Sequence, residues 1–165
     1  MIRLCITFCL FSLMYGNLHT KDFNIKKFMG KWYVISHIPN FIEKGGINSY
    51  DEYTLNEDST INVFYQTIKD GKSKTIKQLA SVDDYINPTK WTIKFVKPWI
   101  PFIKAPYEIA YIDYRHQNVA VISNNYAWVM SRSKTINQEY YNKILNILET
   151  SYGFNKNEFV KIIQH

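Results

Sequence analysis

The sequence predicts an all-β protein: eight antiparallel strands, joined in order by short turns, close into an up-and-down barrel with a C-terminal α-helix packed outside. Three observations lead there. Aromatic residues make up 16% of the chain, with 13 Tyr and 10 Phe, and flat rings suit the pleated, half-buried surface of a sheet. Turn-forming clusters interrupt strand-like runs at regular intervals from Pro39-Asn40 to Asn124-Asn125. Large apolar residues alternate with others along Trp91-x-Ile93-x-Phe95 and Tyr126-x-Trp128-x-Met130, the period of a strand with one buried face. At 165 residues and 46% hydrophobic, the chain supports one core and one domain.

Residues 1–16 read as a secretory signal peptide, leaving 17–165 as the folded domain. Arg3 supplies the positive start, Leu4 to Met14 is an uncharged apolar run too short to span a bilayer, and Gly16 precedes a polar stretch. A buried N-terminal strand or helix is the alternative, since no Ala-x-Ala pattern marks a cleavage point. Cys5 and Cys9 both fall in this segment. A chain cleaved there would have neither disulfides nor cysteine chemistry.

The expected strands cover residues 31–38, 48–55, 61–68, 74–83, 90–96, 106–113, 118–123 and 126–132. Pro39-Asn40 and Gly45-Gly46 separate the first two; Asn56 to Ser59, Lys69 to Lys72, Asn87-Pro88, Pro98 to Pro106, His116 to Asn118 and Asn124-Asn125 divide the rest. Asn137 can cap a helix whose Tyr141, Ile144, Leu145 and Leu148 recur at helical spacing and which ends near Gly153. Its apolar stripe should lie against the outside of the sheet. Glu158 to Ile163 is extended and could add an edge strand. A sandwich is the competing architecture, but it usually needs a longer Greek-key connection, whereas closure removes exposed edges and leaves room for one small ligand.

The net charge is +6, or +5 without Arg3. Lysines are scattered and no helix carries a basic stripe, so nucleic acid is not an expected partner. Catalysis is hard to assemble. His37 and His116 lie in separate stretches without a nucleophile pattern, and HExxH, a glycine-rich phosphate loop and G-x-S-x-G are all absent from the sequence. Asp83-Asp84 would face opposite sides of a strand and share no proton. Neither a metal nor a cofactor is expected, and no residue is assigned a catalytic role.

Gly30-Lys31-Trp32-Tyr33, continued by Ile38-Pro39-Asn40-Phe41 and Glu43-Lys44-Gly45, resembles the glycine-x-tryptophan opening of the lipocalins, in the form found in the bacterial and apolipoprotein D-like group. Tyr111-x-Asp113-Tyr114-x-His116 is similar to the family's second motif, and Tyr126-x-Trp128-x-Met130-Ser131-Arg132 to its third. The resemblance covers residues 23–164. It implies structural roles for Gly30, Trp32, Asp113 and Arg132, with Trp32 plugging the closed end and Arg132 lying across its ring. The chain departs from the pattern at Gly46, where many relatives have a cysteine.

Binding is easier to assemble than catalysis. Trp91, Ile93 and Phe95, then Tyr107, Ile109 and Tyr111, then Tyr126, Trp128 and Met130 are same-face sets that a barrel could turn inward to line a cavity. The function this implies is transport or storage of a fatty acid, lysophospholipid or similar amphipath by a secreted or periplasmic protein. An enzyme acting on a lipid or isoprenoid in the same cavity is the runner-up, and a solid-cored structural domain is a third reading. Alternating strand polarity sends the loops after strands one, three, five and seven to one rim. They bring Phe41, Ile42 and Lys44, then Lys69, Lys72 and Lys74, then Lys97, Trp99, Ile100, Phe102, Ile103 and Lys104. Such a surface suits an anionic membrane, peripherally at an outer membrane for a periplasmic protein; a lid that folds inward over the cavity has the same composition.

Overall fold

The computed structural model describes residues 19–40, 43–100 and 103–165, so the segment read as a signal peptide lies outside the described residues. Eight strands follow one another: β1 Gly30–His37, β2 Ile47–Leu55, β3 Ile61–Lys69, β4 Lys72–Val82, β5 Lys90–Lys97, β6 Lys104–Ile112, β7 Asn118–Ser123 and β8 Tyr126–Ser131. Each pairs antiparallel with the next, and β1 pairs with both β8 and β2. The sheet is therefore a closed barrel, and the sandwich is ruled out.

Two apolar layers hold it. Inside, Trp32, Val34, Tyr53, Ile61, Val63, Trp91, Ile93, Ile109 and Met130 belong to one buried cluster. Outside, α2 (Gln138–Tyr152) lays Tyr141, Ile144, Leu145 and Leu148 on Ile35, Ala110, Ala120, Ala127 and Val129. The alanines keep that stretch of wall low enough for a helix to lie close, and each buried Ile or Leu contributes about 1.5–3 kcal/mol. The Asn137 side chain accepts from the Glu139 and Tyr140 N–H groups. Gly153 ends the helix at φ 77°, a left-handed conformation suited to glycine, with its N–H donating to the Glu149 carbonyl.

A four-residue helix, α1 (Ile25–Phe28), was not expected from the sequence. Asn24 caps it by accepting from the Lys27 N–H at 3.1 Å. Phe28 at its end packs among Trp32, Tyr53 and Trp91, at ring-centroid distances of 5.3, 4.9 and 5.4 Å, and closes the lower end of the barrel.

The expected edge strand over 158–163 is shorter and serves another purpose. A 3-10 turn spans Lys156–Glu158, and β9 is only Val160–Lys161, paired with Ser36 and His37 of β1. β1 and β2 pair only over Gly30–Tyr33 and Tyr50–Tyr53. Above that the C-terminal tail spans the opening between them: the Ile162 N–H donates to Ile35 O, the Asn48 N–H to Ile163 O, and Gln164 Nε2 to both Val34 O and Ser49 O. The tail completes the wall rather than extending an edge.

Candidate ligand-binding site

At the loop end of the barrel is a cavity of about 250 Å³. β2 supplies Asp51 and Tyr53, β3 Val63 and Tyr65, and β4 Ile76 and Gln78. β5 adds Ile93 and Phe95, and β6 adds Ala105 and Tyr107. Asn40 and Glu43 from the β1–β2 loop, and Ser123, Asn124, Tyr126 and Trp128 from the β7–β8 hairpin, complete the wall. Apolar and aromatic walls with a few convergent polar groups are the usual make-up of a small-molecule site.

Of the nine residues proposed from sequence to line it, Ile93, Phe95, Tyr107, Tyr126 and Trp128 do so. Trp91, Ile109 and Met130 face inward but lie in the packed cluster away from the cavity wall, Trp91 stacked on Tyr107 with ring centroids 5.6 Å apart. Tyr111 is a correction. The β6–β7 register shifts between Ile109 and Tyr111, so Ile112 takes the inward position and Tyr111 turns out beneath α2. A bulge reverses the facing of every later residue in the strand.

The polar groups missed from sequence are the ones that give the cavity its chemistry. Glu43 Oε2 accepts from Trp128 Nε1 at 2.8 Å and from Asn40 Nδ2 at 2.6 Å, and lies 3.0 Å from Nδ1 of the buried His37. That places His37 in a structural network. Asp51 accepts from the Tyr53 hydroxyl at 3.3 Å, and the Tyr53 and Tyr107 hydroxyls lie 2.5 Å apart. Burial first and the Glu43 charge second push the Asp51 carboxyl up to about 8, against the weaker opposing effect of the Tyr53 bond. Burial also raises the Tyr53, Tyr65 and Tyr107 hydroxyls well above their ordinary range. Period-two alternation from Ser49 through Asp51 and Tyr53, and from Val63 through Tyr65, was the available signal for these positions.

The four residues given structural roles sit at the closed end. Arg132 lies over the Trp32 ring, and its guanidinium donates to the Lys27, Phe28, Met29 and Lys31 carbonyls at 2.8–3.0 Å. Gly30, at φ 93°, would place a Cβ 3.4 Å from that guanidinium. Asp113 accepts from the N–H groups of Arg115, Gln117 and Asn118 and from Asn118 Nδ2, which shapes the β6–β7 turn. In that turn His116 accepts from the Asn24 N–H at 3.1 Å, and burial lowers its pKa.

At the rim, Trp99 is 74% exposed, with Val96 and Ile103 about half exposed and Lys97 and Lys104 exposed beside them. Trp99 is thus turned outward and is not folded over the cavity. Ile100 is half-buried, while Phe41, Ile42 and Phe102 lie outside the described residues.

Known proteins agree with this architecture. A family model described as a lipocalin-like domain matches residues 23–164. Temperature-induced lipocalin-1 of Arabidopsis thaliana is 33% identical over 144 residues, covering 82% of this chain and 77% of that protein. Apolipoprotein D of Macaca fascicularis is 30% identical, covering 79% and 72%, and the outer membrane lipoprotein Blc of Escherichia coli K12 is 26% identical, covering 87% and 80%. Among solved structures, lobster apocrustacyanin A1 superposes with a TM-score of 0.72 at 18% identity, covering 93% of this chain and 86% of that one. A closed barrel with an outer helix, matched over nearly its whole length by the family model, places the chain in the lipocalin family, which binds small hydrophobic ligands.

Proposed function

We propose that the chain binds and carries or stores a small amphipathic molecule of the lipid class, such as a fatty acid, a lysophospholipid or a similar compound, in the barrel cavity. The observation that carries this reading is the cavity itself, about 250 Å³ and walled by Val63, Ile76, Ile93 and the aromatic rings of Tyr53, Tyr65, Phe95, Tyr107, Tyr126 and Trp128. Apolar burial supplies affinity, and the polar groups orient the head. The reading is of a binding protein. The enzyme alternative draws no support from the cavity, whose wall includes neither His37 nor His116, and Tyr111 lies outside it beneath α2. Residues 1–16 and the outer-membrane name of one relative support a secreted or periplasmic place. Exposed Trp99 and Ile103 with Lys97 and Lys104 support a peripheral contact with anionic membrane.

Native mass spectrometry of protein purified from its own host, followed by extraction of the bound material, tests the reading. A stoichiometric small amphipath is expected. Repeated absence of one, with no binding of a fluorescent fatty acid or neutral apolar dye, would overturn it.

A further inference from the structure

We propose that the head group this cavity selects is cationic, an amine or quaternary ammonium on an apolar body, held by Asp51 and the aromatic rings around it. The inference rests on the reading of the cavity as an amphipath site and narrows it to one head-group chemistry. The chain as a whole carries +6, yet the cavity wall contains two carboxyls, Glu43 and Asp51, and no Lys, Arg or His among its described residues. An anionic head would enter beside Glu43, and beside Asp51 as that carboxyl ionises, with no Lys, Arg or His in the described wall to offset it, which costs free energy that apolar contact must supply. A cation reverses the sign of that interaction.

The two carboxyls are not equivalent. Glu43 Oε2 already has donors from Trp128 and Asn40 and a short contact with His37, whereas Asp51 has one long bond, from Tyr53. Asp51 therefore has acceptor capacity left for a ligand. Tyr53, Tyr65, Phe95, Tyr107 and Trp128 line the same space, and an ammonium group is attracted to aromatic faces as well as to a carboxylate. Carboxyl and rings together make a site for a desolvated cation.

The groups facing Asp51 also determine how binding depends on pH. From the β1–β2 loop comes Glu43, backed by His37; from β2, β3 and β6 come Tyr53, Tyr65 and Tyr107, all raised by burial and so neutral; from β8 come Tyr126 and Trp128. β4 and β5 present uncharged Ile76, Gln78, Ile93 and Phe95. Asp51, at about 8, is mostly protonated at neutral pH. A cation binds its ionised form, so affinity for the cation rises roughly ten-fold per pH unit below that value and levels off above it. An alkyl carboxylate shows the opposite trend.

The test is displacement of the neutral dye N-phenyl-1-naphthylamine from the full chain by octyltrimethylammonium, octanol and octanoate, from pH 6 to pH 9. At pH 9 the ammonium compound should compete at least ten-fold better than octanol, and octanoate worst. Its advantage over octanol should shrink toward pH 6 in the unmodified protein, and Asp51→Asn should remove most of it at pH 9, with thermal melts showing that the variant is folded. Octanoate competing as well as the ammonium compound, or an ammonium advantage independent of pH, would overturn the head-group assignment while leaving the cavity a ligand site. Failure of the dye and all three octyl compounds to bind would overturn both.

Discussion

The guanidinium carbon of Arg132 lies 3.7 Å from the centre of the Trp32 ring, and the same group donates to four backbone carbonyls at the end of α1 and the start of β1. A planar fork satisfies several acceptors while stacking on an aromatic face, which a lysine ammonium cannot do. Arg132→Lys should therefore cost about 2–4 kcal/mol despite keeping the charge, since it loses the stack and strands carbonyls. Urea unfolding measures the difference. A loss below about 0.5 kcal/mol would mean that the closed end is held by Phe28 and Trp32 packing alone.

Gly46 stands where a side chain has no room. A Cβ built there meets Thr67 Oγ1 at 2.3 Å, and Thr67 is itself fixed by a 2.7 Å bond to Ser49 Oγ. Gly46→Ala should destabilise the protein by about 1–3 kcal/mol, the usual cost of overpacking. In a Thr67→Ala background the penalty should fall by at least half, because the two positions share one contact. Equal penalties in both backgrounds would show that the conflict lies elsewhere.

Asp51 links folding to pH. Its folded value, about 8, lies above the ordinary carboxyl value of 3.8, so the folded state holds a proton that the unfolded chain releases. Its contribution to stability is full below about pH 4 and falls by at most about 1.4 kcal/mol per unit as pH rises toward 8. Subtracting the same curve for Asp51→Asn isolates this effect from other titrating groups. Chemical unfolding at pH 5 and pH 8 should show the wild type losing more stability than the variant; parallel curves would refute the buried, protonated carboxyl.

How much of this was legible beforehand follows from what period two can and cannot encode. Turn clusters and alternation located all eight strands, and helical spacing located α2, because those patterns are local. Tyr107, Ile109 and Tyr111 alternate without a break in the sequence, so nothing there announces the bulge that turns Tyr111 under α2. Trp91 and Met130 were placed on the correct face but not at the correct depth, since strand period specifies side and not height. Asp51 and Glu43 escaped notice because polar residues in a strand and a loop read as solvent-facing. Only closure brings Glu43 to Trp128, 85 positions away.

The rim makes a separate prediction. Trp99 is exposed beside Lys97 and Lys104, and Phe102 follows in the same loop sequence. Co-sedimentation should show binding to anionic vesicles that exceeds binding to neutral ones, weakens as salt rises, and is mostly lost in Trp99→Ser/Phe102→Ser. Equal, salt-insensitive partitioning that survives both substitutions would rule out the membrane contact.

The proposed binding of a small apolar molecule uses the space bounded by Ala105, Phe95 and Tyr107. Ala105→Trp would fill that space from the wall without touching the closed-end core. Fluorescence titration with N-phenyl-1-naphthylamine, on protein whose circular dichroism confirms the fold, is the most direct measurement. Saturable one-to-one binding to the wild type and at least a ten-fold loss in Ala105→Trp are expected; undiminished binding to the folded variant, or none to the wild type, would overturn the assignment of the cavity.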